Sequence, residues 1–86
     1  MSQGIYLRTL ENLQQEMHFA RSKFPRNTLM MMALSEEVGE LAQALLECRR
    51  GKVTPAQVYA EAIQVEAMAL RVAEEGDSTI PEYPRS

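Results

Sequence analysis

Four oxygen-bearing side chains stand out by their spacing. Glu37 and Glu40 lie three residues apart in LSEEVGELAQALLE, and Glu61 and Gln64 repeat that spacing in EAIQVEAMALRVAEE. At about 100° per residue, Leu34, Val38, Leu41, Leu45 and Cys48 form an apolar stripe on one helix. Glu37 falls about 60° to one side of that stripe, and Glu40 about 120° to the same side. Measured from Val58, Glu61 and Gln64 take the same two offsets beside a stripe of Val58, Ala62, Val65, Ala69 and Val72. If the two stripes pack together, the pairs converge at the edge of the core. Glu66, about 140° round from Glu61, stays outside. A single Glu pair at i, i+3 is ordinary on a solvated helix. Two pairs sharing one relation to two stripes point to a joint site.

Three partly desolvated carboxylates at close quarters repel and raise one another's pKa unless a cation intervenes. Mg²⁺ suits such a group, because it takes hard oxygen ligands and keeps coordination positions for water or phosphate oxygens. Helix bundles lined by Glu pairs are an established way to hold divalent metals. The single histidine, His18, lies in the first helical segment, away from the spacing used by di-iron sites. Mg²⁺ or Mn²⁺ is therefore favoured over iron or zinc.

The elements that must position these residues are three helices. Leu10, Leu13, Met17 and Ala20, with Tyr6 before them, recur at helical spacing and predict a first helix over about Ile5–Ser22. KFPRN breaks it at Pro25. Asn27 or Thr28 is the expected cap of a second helix, which runs to about Arg50 and stops at Gly51. Thr54 and Pro55 mark the N-cap and first turn of a third, which ends at Gly76. This third helix carries a second apolar side, Ile63, Ala67 and Leu70. A helix apolar on two sides is buried on both, and in so short a chain the simplest cover for the second side is another subunit.

These elements make one all-α domain over residues 1–76, followed by a Pro-containing tail over 77–86 that is expected to lie extended, across a neighbouring subunit. The chain has 86 residues, is 45% apolar and carries a net charge of −3. That charge excludes a general binder of polymeric nucleic acid, which needs a basic face. Cys48 is the lone cysteine, so a cysteine-rich zinc site and an internal disulfide are excluded and a cytoplasmic home is expected. The longest apolar run, LMMMAL, is far short of the ~20 residues that span a bilayer, and no signal peptide is evident.

EEVGELAQAL, followed after a short basic loop by EAIQVEAMALRVAEEGD, resembles the MazG-like nucleoside triphosphate pyrophosphohydrolases of the all-α NTP pyrophosphatase superfamily. The likeness covers roughly Phe24 to Asp77. It implies a three-helix unit that completes a helical bundle as a homodimer or homotetramer. It also implies Mg²⁺-dependent hydrolysis of a nucleoside triphosphate to the monophosphate and pyrophosphate. Carried over by position, Glu37, Glu40 and Glu61 hold the metal, with Glu36 as the preceding acid of the motif. Gln64 stands where the family usually has Asp, which removes one negative charge from the site. Its amide oxygen remains available to a metal, a nucleobase or the attacking water.

Arg71, two turns beyond Gln64 on nearly the same side, is the candidate phosphate contact. Lys52, Arg49 and Arg50 crowd the loop before the third helix, and Lys23 and Arg26 flank Phe24 at the opposite entrance. Phe24 is a candidate base-stacking residue, His18 a candidate donor to base or phosphate, and Met68 a candidate pocket wall. An ordinary surface charge, or an aromatic in the core, is the commoner role of each such residue taken singly. Two readings follow: a Mg²⁺-dependent pyrophosphohydrolase, or a catalytically weakened relative that binds nucleotide or metal as a helical interaction module. Gln64 favours the second reading and the retained acids favour the first.

Overall fold

The computed structural model describes residues 3–23, 26 and 28–80. The break at Pro25, the stacking residue Phe24, the Asn27 cap and the tail beyond Ile80 lie outside them, as does the side chain of Tyr6. Three helices account for nearly all of the described chain: α1 (Gln3–Lys23), α2 (Met30–Arg49) and α3 (Pro55–Glu75). The described residues contain no strand, so the fold is all-α.

α3 packs against both of the others, while α1 and α2 make no helix–helix contact with each other. The second apolar side of α3 is therefore covered within the chain, and not by another subunit. Ile63 and Ala67 are buried there with Met17 and Ala20 of α1. At the same junction the Asn12 amide donates to the Tyr59 hydroxyl at 2.8 Å. On its other flank α3 meets α2.

The two stripes that the sequence marks as core are not the core of the single chain. Leu34 and Leu41 are half-buried and Val38 and Leu45 are exposed, as is Ala69 on α3. The α2 side chains that are buried are Met30 and Ala44. On the helical wheel both lie with Glu37, about 40–80° round from Leu34. α2 thus turns its small and acidic residues, not its leucines, toward α3.

The ends of α3 follow the sequence signals. The Thr54 side chain accepts from the Gln57 amide at 3.3 Å with Pro55 in the first turn, and Gly76 ends the helix at φ 71°, a backbone region that favours glycine. Gly51, at φ 75°, closes the turn after α2. The start of α2 differs from expectation. Thr28 pairs through its hydroxyl with Ser78 at 2.8 Å, and the N-cap position falls to Leu29, which has a left-handed backbone and no side-chain cap. The missing acceptor comes from the far end of the chain: the Asp77 carboxylate receives the amides of Leu29 at 3.3 Å and Met30 at 2.5 Å. Thr79 also donates to it, through amide and hydroxyl. A carboxylate at a helix N-terminus meets both the orphan amides and the positive end of the dipole.

A second tie sits beside it. Arg71 is 1% exposed, donates from Nε and Nη2 to Glu75, and reaches the Arg26 carbonyl at 3.3 Å. Arg21 of α1 grips Glu74 and Glu75 from outside. One end of all three helices is thereby pinned to the α1–α2 connection.

The hydrogen bonds from Thr79, Met30 and Leu29 hold the Asp77 carboxyl below its ordinary range. Its stabilising contribution is complete above the unfolded carboxylate pKa and is lost as pH falls through the lowered folded value. Asp77→Asn is expected to melt below the wild type at neutral pH, and the gap should close in acid. A gap that stays constant on acidification, followed by circular dichroism, contradicts the charged cap.

Candidate metal centre

Arg50 to Thr54 make a short turn, so α2 and α3 form an antiparallel helical hairpin. In that hairpin Glu37 and Glu40 of α2 meet Glu61 of α3. Each offers a carboxylate oxygen, and these oxygens lie within 4.8 Å of one another. The convergence read from the spacing is thus present, although the face that brings it about is Ala44 and Met30 rather than the leucine stripe.

The electrostatics of the cluster are unfavourable as they stand. Oε2 of Glu37 and Oε2 of Glu61 are enclosed without a hydrogen-bond partner among the described residues. Loss of hydration raises the Glu37 pKa, and the neighbouring charges of Glu40, Glu61, Glu16 and Glu36 add to the shift. Glu61 is also raised, first by burial and then by Glu40, with which it shares a hydrogen bond. Enclosed carboxylate oxygens without donors are costly, and a divalent cation removes both the repulsion and the missing partner. The donor set is all oxygen, which suits Mg²⁺ or Mn²⁺. The residues fit such an ion.

Beside Glu37 opens a cavity of about 450 Å³, within the range of small-molecule sites. Its wall includes Lys23, Arg26, Glu36, Glu37, Met68 and Arg71. Acids therefore stand on one side and cations from the α1–α2 connection on another. Met68 is buried and serves as a wall, as its position predicted. Arg71 also lines this space, but two of its guanidinium nitrogens are committed to Glu75 and the Arg26 carbonyl. Lys23 rests over the Phe19 ring at 5.6 Å.

The remaining candidates scatter. Gln64 is half-buried and shares a cleft with Glu37, Glu16 and Phe19 on the α1 side, whereas Glu40 and Glu61 share a smaller cleft with Gln57 and Val53 on the other side. Lys52 is exposed in the α2–α3 turn and His18 is exposed on α1; neither lines these clefts. Glu16 was not among the residues singled out by spacing. Its signal was present: it lies one turn after Asn12 and about 100° from Met17 on the apolar side of α1. Only the packing of α1 on α3 reveals that this edge faces Glu37.

Comparison with protein-family models, curated proteins and solved structures finds no match for this chain.

Two thermal measurements test the cluster. Because folding raises the pKa of Glu37 and Glu61, their effect on stability is most favourable at low pH and is lost as pH rises through the folded values. Metal-free protein should therefore lose stability on that rise, and Mg²⁺, which binds the charged form, should restore it increasingly with pH. Glu37→Gln with Glu40→Gln should abolish the Mg²⁺ effect and melt above the wild type in metal-free buffer at neutral pH. Wild-type melting indifferent to millimolar Mg²⁺ would refute the centre.

Proposed function

We propose that the chain is a MazG-like pyrophosphohydrolase that converts a nucleoside triphosphate and water to the monophosphate and pyrophosphate, working as a homodimer or homotetramer in the cytoplasm. The observation that carries the reading is the meeting of Glu37, Glu40 and Glu61 within 4.8 Å, beside a nucleotide-sized cavity that also holds Lys23 and Arg26. The resemblance of EEVGELAQAL and EAIQVEAMALRVAEEGD to that family supports the same chemistry.

In this reading Glu37, Glu40 and Glu61 hold Mg²⁺, with the Gln64 amide as a neutral helper. The ion, when bound, supplies charge neutralisation on the phosphate oxygens. Lys23 and Arg26 neutralise the rest of the triphosphate from across the cavity and hold it in line for attack. Glu36, exposed at the same cavity, orients the water and takes its proton as oxygen adds at the α- or β-phosphorus. The bridging bond between those phosphorus atoms breaks, and the negative charge leaves on the departing phosphate. Arg71 acts mainly by holding the cavity wall through Glu75.

A second reading, a catalytically weakened nucleotide- or metal-binding module, is favoured by Gln64, which leaves the site one charge short of the family pattern. The two separate in a pyrophosphate-release assay over a panel of canonical and damaged nucleoside triphosphates, with and without Mg²⁺. Turnover that needs Mg²⁺ and falls at least about 100-fold in Glu61→Ala supports the hydrolase; removal of a group that stabilises transition-state charge typically costs that much. Release unchanged in Glu61→Ala refutes the assigned role. Silence from folded protein that still melts higher with Mg²⁺ selects the binding module. Gln64→Asp should lower the Mg²⁺ concentration needed for half-maximal stabilisation.

A further inference from the structure

The apolar residues that α3 does not cover are arranged as a second interface. Leu34, Val38, Leu41 and Leu45 follow one another at spacings of four, three and four residues, the repeat of a coiled-coil seam. None of them is buried: Val38 is 47% and Leu45 53% exposed, and Leu34 and Leu41 are half-buried. Val58, Ala62, Val65 and Ala69 repeat the same spacing on α3, and none of these is buried either.

Both seams face the same way. On α2 the acids lie about 60–120° to one side of the leucine seam, and on α3 Glu61 lies about 60° to the same side of the Val58 seam. Because the helices are antiparallel and their acids meet, the seams must emerge together on the opposite side of the hairpin. The hairpin therefore has a carboxylate side and an apolar side. α1 does not close the apolar side, since it packs on the Ile63–Ala67 flank of α3 and makes no contact with α2.

We infer that this apolar side of the α2–α3 hairpin is a two-fold interface occupied by the same surface of a second copy of the chain, which makes a four-helix bundle with the two carboxylate clusters on its outer sides. A second copy is the occupant because the surface is complementary to itself. The α2 seam is a ridge of leucines and valine, while the α3 seam is lowered by Ala62 and Ala69. A two-fold axis sets each α2 ridge over the partner's α3 furrow, as an isologous contact requires. The single chain also needs the cover: its buried apolar side chains among the described residues are three alanines, three methionines and one isoleucine, little core for a domain of this size. The inference specifies the homo-oligomer of the reading above and rests on that part alone, not on its chemistry.

Sedimentation velocity and concentration-dependent melting test it in the full chain. Wild type should sediment at no less than twice the 9.7 kDa chain mass, with a melting temperature that rises with protein concentration. Val38→Glu and Ala69→Glu, both at positions exposed in the single chain, should each break the assembly, whether they leave a folded monomer or an unfolded one. Phe19→Glu, 56% exposed on α1 and off both seams, should leave it intact. A monomeric wild type with concentration-independent melting overturns the inference. So does an assembly that survives both seam variants, or one that Phe19→Glu alone dissolves. Because the readout is mass, a failure of the interface and a failure of the pyrophosphohydrolase reading are told apart: activity can be lost with the assembly intact.

Discussion

Everything in this structure is referred to α3, because it is the one helix that the other two both touch. A helix in that position must be apolar on two opposite flanks, and α3 achieves this with Ile63 and Ala67 toward α1 and Met68 toward the side shared with α2. The requirement leaves only two strips of its surface for other uses. One carries Glu61 and Gln64, and it becomes the floor of the acidic cleft. The other carries Val58, Ala62, Val65 and Ala69, and it is left facing outward. Site and apolar surface are therefore separated by the packing of α3 itself, on opposite sides of one hairpin.

The hairpin is held against its own charge. Glu37, Glu40 and Glu61 crowd the α2–α3 contact, with two of their oxygens enclosed and unpartnered, so this junction resists closure when no cation is bound. What counters it is a set of polar ties at the far end of α3. Asp77 receives the first amides of α2, and Arg71 locks Glu75 to the α1–α2 connection. These ties work where the chain is short of apolar burial. Each Leu or Val fully buried contributes about 1.5–3 kcal/mol, yet the leucines and valines of the seams stay at least partly in water in the single chain. Buried arginine and a borrowed helix cap take up part of that role.

The same ties shape the cavity. By fixing Arg26 and the start of α2 relative to α3, they set Lys23, Arg26 and Glu36 around the space next to Glu37. A polyanion entering there meets cations at one wall and carboxylates at another. That arrangement favours a ligand that brings, or shares, a divalent ion over a bare anion or a bare cation. The carboxylates are unfavourable neighbours for phosphate unless a metal lies between them.

How much of this was legible beforehand differs from residue to residue. The three helices, the Thr54–Pro55 start, the glycines that end α2 and α3, and the approach of Glu37 and Glu40 to Glu61 were all readable, because each depends on local dihedral preference or helical periodicity. The wheel could place the acids at the edge of the leucine stripe but could not say which side of that edge would meet α3, since two apolar directions on α2 compete and periodicity ranks them equally. Tertiary packing chose the direction of Ala44 and Met30, where small side chains let the helices approach. The cap of α2 was illegible for a different reason: Thr28 has the right chemistry nearby, but Asp77 reaches the same amides from 47 residues away. Glu16 and the double commitment of Arg71 likewise depend on which helix lies next to which. The sequence by itself determined the elements and the acids they carry, through interactions among near neighbours in the chain. Which faces met, and hence which acids, cations and leucines became cleft, clamp or open surface, was decided by long-range packing around α3.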